Sequence, residues 1–292
     1  LVSKGWEAEL KWRDYVGKVN YGLRFILSDD IQTVTQYYNP TGSLSTWYAG
    51  RRMGEIWGYT TAGIAKTNDE MNEHLKTNRP SWGDNWQAGD IMYKDLDGSE
   101  TVNGGANTLS DHGDLRRLGY NAPRFKVGFN ADLTWQGLDF SFFLQGVGRR
   151  DWFDNSPYSV GATSHGQWQS VGFKEHWDFF RPEGDPNGAN LNARYPRPLF
   201  EKGAKNMQTQ SRYVVNAAYL RIKNIQLGYT LPASLTKKIG VSRLRVYTSA
   251  DNLVTFTKLP KIFDPEATGG DWGPGKIYPL QRVISCGLNV NI

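Results

Sequence analysis

Phe125 through Gln145 read FKVGFNADLTWQGLDFSFFLQ, and the fold follows from how these residues alternate. Side chains on a β-strand point to opposite faces in turn, so an apolar period of two marks a strand with one greasy face. Phe125, Val127, Phe129, Ala131, Leu133 and Trp135 fall in one phase, against Lys126, Gly128, Asn130, Asp132 and Thr134 in the other. Gln136-Gly137 then makes a tight turn. The return strand sets Leu138, Phe140, Phe142 and Leu144 opposite Asp139, Ser141, Phe143 and Gln145.

The pattern recurs on both sides of this hairpin. Trp6, Ala8, Leu10 and Trp12 oppose Glu7, Glu9, Lys11 and Arg13, and after a turn around residues 14–17 Val19, Tyr21, Leu23, Phe25 and Leu27 share a face. Three further strands are expected at about 217–230, 243–253 and 281–292. In the last of these Ile284, Cys286, Leu288, Val290 and Ile292 oppose Ser285, Gly287, Asn289 and Asn291. Within 217–230, Leu220 and Ile222 stand out of phase with Ile225, Leu227 and Tyr229, and a β-bulge between them would reconcile the two runs.

Short links near 14–17, 136–137 and 231–242 alternate with long ones over about 29–123, 148–216 and 254–280, so all the long links fall at one end of the strands. A soluble β-sandwich also alternates. Three features favour an all-β, antiparallel transmembrane β-barrel with long extracellular loops. Aromatics sit at strand ends (Trp6, Trp12, Tyr21, Trp135, Tyr229), the second face is strongly polar, and the long loops are one-sided. Seven strands cannot close a wide barrel, and an open sheet edge is not tolerated in lipid, so further strands are expected from elsewhere.

Composition agrees. Among 292 residues there are 32 Gly, 11 Trp, 15 Tyr and 13 Phe, with a mean hydropathy of -0.57, which suits β structure with polar loops. No run approaches the roughly 18–20 apolar residues of a spanning helix. A net charge of +5 is spread along the chain without a basic stripe, so no nucleic-acid partner is expected. Cys286 is the one cysteine, which excludes an intramolecular disulfide. The start at Leu1-Val2-Ser3-Lys4 reads as an internal one.

The run Tyr219-Leu220-Arg221-Ile222-Lys223-Asn224-Ile225-Gln226-Leu227-Gly228-Tyr229-Thr230-Leu231-Pro232 resembles a segment near the C-terminus of SusC/RagA-like TonB-dependent outer-membrane transporters. Ile239 to Tyr247, Asp251 to Lys258, Phe263-Asp264-Pro265-Glu266 and Tyr278-Pro279 follow in the family's order. Upstream, Gly5-Trp6-Glu7, Gly54 to Gly63, Gly89 to Gly98 and Gly137 to Gly146 are similar to the family's earlier motifs. One departure is the ending Asn291-Ile292, where the family usually has a terminal aromatic.

The resemblance implies that residues 1–292 are the C-terminal portion of a barrel of about 22 strands, with the plug domain and N-terminal strands outside this chain. It further implies TonB-energised import of an oligosaccharide or peptide. The implied partners are a SusD-like surface lipoprotein, the TonB complex acting through the plug and TonB box, the remaining barrel strands, and lipid with lipopolysaccharide. A non-transporting receptor or adhesin barrel, and a soluble carbohydrate-binding β-domain, are the alternatives.

Two groups of loop residues are candidate sites. Trp47, Trp57, Tyr59, Trp82, Trp86, Trp168 and Trp272 offer aromatic faces that stack on sugars or peptide side chains; the competing expectation is that such long loops need small cores of their own. Asp95, Asp97, Ser99, Thr101 and Asn103 have the alternate-residue oxygen spacing of a Ca2+ loop, although Glu100 and Ala106 replace the glycine and bidentate acid of an EF-hand. No catalytic set is expected, because His74, His112, His165 and His176 show no HExxH spacing and no GxSxG occurs. Glu7, Glu9, Arg13, Lys126, Asp132, Arg243 and Arg245 are expected on the water-facing side of the wall.

Overall fold

The computed structural model describes residues 1–153, 157–160, 172–199, 203–268 and 278–292. It divides into two compact units. One contains a seven-stranded sheet in which sequence neighbours are also sheet neighbours: β1 (Val2–Val16), β2 (Val19–Thr33), β3 (Arg124–Trp135), β4 (Leu138–Arg149), β5 (Tyr219–Thr230), β6 (Arg243–Thr257) and β7 (Val283–Asn291). This is the strand set that alternation predicts, with antiparallel registers from β2 through to β7. The 15-residue strands β1, β2 and β6 exceed the roughly 9–11 residues a tilted strand needs to cross a bilayer. Among the described residues, no helix is long and apolar enough to cross one.

The hairpin ends show why these residues turn where they do. Gln136 and Gly137 both have positive φ, 47° and 92°, the left-handed pair whose twist matches that of the flanking strands. The first turn lies later than its sequence signal suggests. β1 runs on to Val16 and only Gly17-Lys18 turn, with Gly17 at φ 60°, because glycine reaches that region without a Cβ clash. The third short link, after β5, is a brief helical turn at Ala233–Thr236.

The expected bulge is present at Lys223. Against β4, Phe143 pairs Asn224 and Leu144 pairs Ile222, so Lys223 is passed over. Against β6, Ile222 pairs Val254 and Asn224 pairs Asp251, with Asn252 in the left-handed region at φ 51°. The extra residue restores the phase: Ile222, Ile225 and Leu227 pair with Leu144, Phe142 and Phe140, so both halves of β5 put their apolar residues on one face.

That face is bare. Trp6, Leu10, Leu23, Phe25, Leu133, Trp135, Leu227, Val246, Phe256, Ile284 and Leu288 are all exposed. Contiguous apolar patches on a soluble monomer rarely pass a few hundred Å², whereas a row spread over the whole sheet is what a wall facing hydrocarbon requires.

The second unit comprises mainly Thr33–Asn121 and Asp151–Val215, the links that follow β2 and β4. It has small two-stranded sheets, such as Glu55–Tyr59 with Leu115–Tyr120 and Thr61–Ile64 with Ile91–Tyr93. Its helix α1 (Asn68–His74) begins where Thr67 accepts the Glu70 amide and Glu70 accepts the Lys66 amide, which satisfies amides that the first turn leaves without partners. Ile64, Ile91, Tyr93, Val102, Phe180 and Ala193 form its main core, while Met71 packs with Ala65 and Met92 in another.

Candidate functional site

Charged residues on the polar face of the sheet are paired across strands. Glu9 accepts from Arg24 and lies 3.1 Å from Lys11, and Lys126 reaches Asp30 at 2.7 Å. Arg124 grips Asp29 through two nitrogens, the bidentate geometry that guanidinium favours. Arg245 on β6 holds Asp139 on β4 across the intervening strand, with Nε donating to Oδ1 at 2.8 Å. The pair passes directly over Gly228, where a Cβ would stand 2.4 Å from Arg245 Nη2 and 2.6 Å from Asp139 Oδ2. At the loop end Arg221, only 3% exposed, donates to Asp264 at 2.7 Å, Glu266 at 2.6 Å and Thr255 at 2.7 Å. Burial pushes the Asp264 carboxyl up, and the Arg221 hydrogen bond, with the Glu266 and Leu280 amides, outweighs it and holds the group below its ordinary value.

Of the water-facing residues expected from sequence, Glu9, Lys126 and Arg245 are thus in ion pairs. The Asp132 carboxylate lies over Gly22, with Oδ1 2.6 Å from where a Cβ would be. Glu7, Arg13 and Arg243 are exposed.

The loop aromatics fall into two groups. Tyr59 lies 4.6 Å from Trp82, Trp82 5.1 Å from Tyr93, and Trp86 6.1 Å from Tyr93 by ring centroids, and Tyr59, Trp82 and Trp86 pack against the main core. Trp82 Nε1 and Tyr93 Oη both donate to the Lys205 carbonyl, at 3.3 and 3.2 Å. In the other group Trp57 Nε1 donates to Tyr48 at 3.2 Å and to Glu55 at 3.1 Å, and Tyr48 Oη donates to the same carboxylate. Burial, reinforced by the Glu55 hydrogen bond, pushes the Tyr48 phenol up to about 12. Trp47 keeps an exposed face, with the Arg51 guanidinium 4.8 Å from its ring centre. Trp168 and Trp272 lie outside the described residues.

Beneath the first group lies a charge cluster with no local sequence signal. Asp90 is fully buried and accepts from Arg197 at 2.8 Å, Lys205 at 2.7 Å and Asn206 at 3.0 Å. Burial lowers the Lys205 ammonium below its usual range despite this partner. Residues more than a hundred positions apart are tied here, a relation that spacing does not reveal.

The acidic loop brings together only part of its expected set. Asp95 and Asp97 converge with Asp114, their carboxylate oxygens within 4.8 Å of one another. Asp114 is buried and accepts the Leu96 and Asn103 amides at 2.6 and 2.8 Å. Ser99, Thr101 and Asn103 turn to local bonds instead: Ser99 Oγ donates to the Thr101 carbonyl, and Asn103 Oδ1 accepts the Gly105 amide. Burial raises the Asp95 carboxyl, and three amides, from Glu100, Gly98 and Asp97, bring it below its ordinary value.

The histidines within the described residues are separate. His74 Nε2 meets the Tyr93 carbonyl at 2.7 Å, His112 Nδ1 meets Arg116 at 3.2 Å, and His176 Nε2 meets the Tyr158 carbonyl at 3.0 Å. His165 lies outside the described residues.

No protein-family model matches the chain. In sequence it is 29% identical over 254 residues to TonB-dependent receptor P3 of Formosa agariphila, an overlap covering 82% of this chain and 22% of that protein. TonB-dependent receptors P26 and P39 of the same organism match at 29% and 26% identity, covering 59% and 70% of this chain and 17% and 19% of theirs. The chain therefore spans about a fifth of the length of the curated relatives it matches. In fold it is similar to the RagAB peptide transporter, with TM-score 0.66 and 23% identity over 99% of this chain and 29% of that one. The RagAB peptide importer in its open-open state gives 0.68 and 22%, over 99% and 28%. Sequence relatives and solved neighbours thus match the chain to the SusC/RagA-like TonB-dependent receptors that its motifs resemble, with the all-β, antiparallel fold of their barrel wall.

Proposed function

We propose that this chain supplies wall and extracellular loops to a TonB-energised importer in the bacterial outer membrane, one that carries an oligosaccharide or peptide too large for porins. The observation that carries the reading is the two-faced sheet, apolar and bare on one side and laced with cross-strand ion pairs on the other, since an aqueous lumen walled from lipid asks for both at once. The outer edges of β1 and β7, unpaired among the described residues, meet the remaining barrel strands, and the polar face meets water or the plug domain through which TonB acts. A SusD-like surface lipoprotein covers the loops, and the fold neighbour RagAB, a peptide transporter, makes peptide a ligand class to test beside glycan. Of the candidate loop aromatics within the described residues, Trp47 is the best placed to touch a ligand, because it is the exposed one among them. Calcium, where bound, falls to Asp95, Asp97 and Asp114, the acids that converge.

The test is uptake of labelled oligosaccharide and peptide pools by cells producing the whole protein, with and without TonB. Uptake that vanishes with TonB supports import. Surface binding that persists while nothing enters would favour the receptor or adhesin reading instead.

A further inference from the structure

Where the last long link leaves β6, a pocket of about 290 Å³ lies between the link and the wall of the sheet. Arg221, Thr255 and Thr257 form its wall side. Arg221 pairs Gln145 and Thr255, and Thr257 pairs Tyr219, which puts all three in the polar phase of the sheet. Leu259, Phe263 and Pro265, all buried, form the apolar floor. The link is pinned in place from several sides. Asp264 accepts from Arg221 at 2.7 Å and from the Leu280 amide at 2.9 Å, and Arg150 donates to the Pro265 carbonyl at 3.1 Å. The pocket is therefore formed before a ligand arrives, which spares binding the cost of ordering a loop.

The polar groups of the wall serve one another. Arg221 Nε donates to Thr255 Oγ1, and Thr257 Oγ1 donates to the Ala218 carbonyl while accepting the Leu259 amide. A sugar ring, with hydroxyls all round it, would find few partners here, whereas an apolar side chain forfeits no hydrogen bond on entering. The charges do not cancel. Asp264 and Glu266 are matched by Arg221 and Lys223, and Lys261, exposed at the mouth, is the cation left over among the described residues.

We infer that this pocket takes the C-terminal residue of a peptide, with an apolar side chain on the floor and the α-carboxylate against Lys261. Side chain and carboxylate branch from one carbon, so a single residue meets both features. The volume, at the small end of the roughly 300–1,000 Å³ of ligand sites, suits one residue and not a folded partner. The inference rests on the reading of this chain as the wall of an importer, and it deepens that reading by naming a peptide, held by its end, as the substrate class.

The experiment titrates the whole protein in detergent micelles with a Gly/Ser peptide that carries a fluorophore at its N-terminus and ends in leucine, and follows anisotropy. Its C-terminal amide and the same peptide ending in glycine are the comparators. Replacing leucine by glycine is expected to weaken binding about ten-fold, and amidation about five-fold. Lys261→Glu, at an exposed position, should weaken the free acid about five-fold and abolish its advantage over the amide. Acid and amide that bind wild type equally, or peptides that do not bind at all, overturn the proposal, and this comparison decides alone if Lys261→Glu loses heat-modifiable mobility. An oligoglucuronate that binds through Lys261 while the peptides do not would assign the cation to an acidic glycan and overturn the peptide. Uptake in cells with and without TonB separates the two levels: a missing terminus preference beside TonB-dependent uptake defeats the pocket alone, whereas uptake indifferent to TonB defeats the import reading and leaves the binding result standing.

Discussion

At Gly228 the cost of a side chain is set by its neighbours, because a Cβ would occupy the space in which Arg245 reaches Asp139. Gly228→Ala is expected to push the guanidinium off its carboxylate and lower stability by about 1 kcal/mol, the scale of a part-exposed ion pair. Asp139→Asn made on top of it should then cost little more, since the same interaction is already lost. Unfolding midpoints of the two single variants and the double variant check this, and fully additive losses would show that the glycine serves some other purpose. Asp264 gives a pH-dependent counterpart. Its carboxyl is held below the ordinary value in the fold, so its contribution is present above the unfolded pKa of about 3.9 and is lost as pH falls through the lowered folded one. Asp264→Asn should therefore be less stable than wild type at neutral pH and converge with it in strong acid. Tryptophan fluorescence followed during acid titration would reveal a gap that fails to close.

Among the elements, β5 shows how much of the fold is written in local pattern. Leu220 and Ile222 out of phase with Ile225 and Leu227 are enough to place a bulge, and it lies between the two runs, at Lys223. Deleting Lys223 removes the phase correction, so half of the strand would present its apolar residues to the polar face. The expected result is a protein that no longer gains heat-modifiable mobility, whereas Lys223→Ala should keep it. The turn after β1 was less legible, because Asp14 and Gly17 both signal a turn and only pairing with β2 decides that the strand continues to Val16. Least legible were the long links. Tyr59, Trp82 and Trp86 suit a ligand platform or, more commonly in such long loops, a small core, and their partner Tyr93, like the ties from Asp90 to Arg197 and Lys205, depends on contacts far apart in sequence. Asp114, too, joins Asp95 and Asp97 only through the fold, and no local spacing signals it. Asp90→Asn leaves two cations without their buried counter-ion, at a cost of about 3 kcal/mol. Faster proteolysis within residues 34–121 and 151–215, with heat-modifiable mobility intact, is the expected readout.

On the scale of the whole molecule, a single requirement organises the sheet: one face must be comfortable in hydrocarbon while the other stays wet. Backbone pairing satisfies the peptide groups from β2 to β6, the exposed aliphatic and aromatic rows satisfy the first demand, and the ion-paired ladder satisfies the second. The β6 segment from Arg243 to Ala250 samples both faces, paired to β7 throughout and to β5 from Arg245 on. Cysteine placed singly at each of these positions in the whole protein, with Cys286→Ser and any other cysteine removed, and tagged with a fluorophore in native membranes, reports its surroundings directly. Quenching by brominated lipid should be strong at positions 244, 246, 248 and 250, while quenching by aqueous iodide should be strong at 243, 245, 247 and 249. Lipid quenching absent at every position, or equal on both phases, would contradict the account.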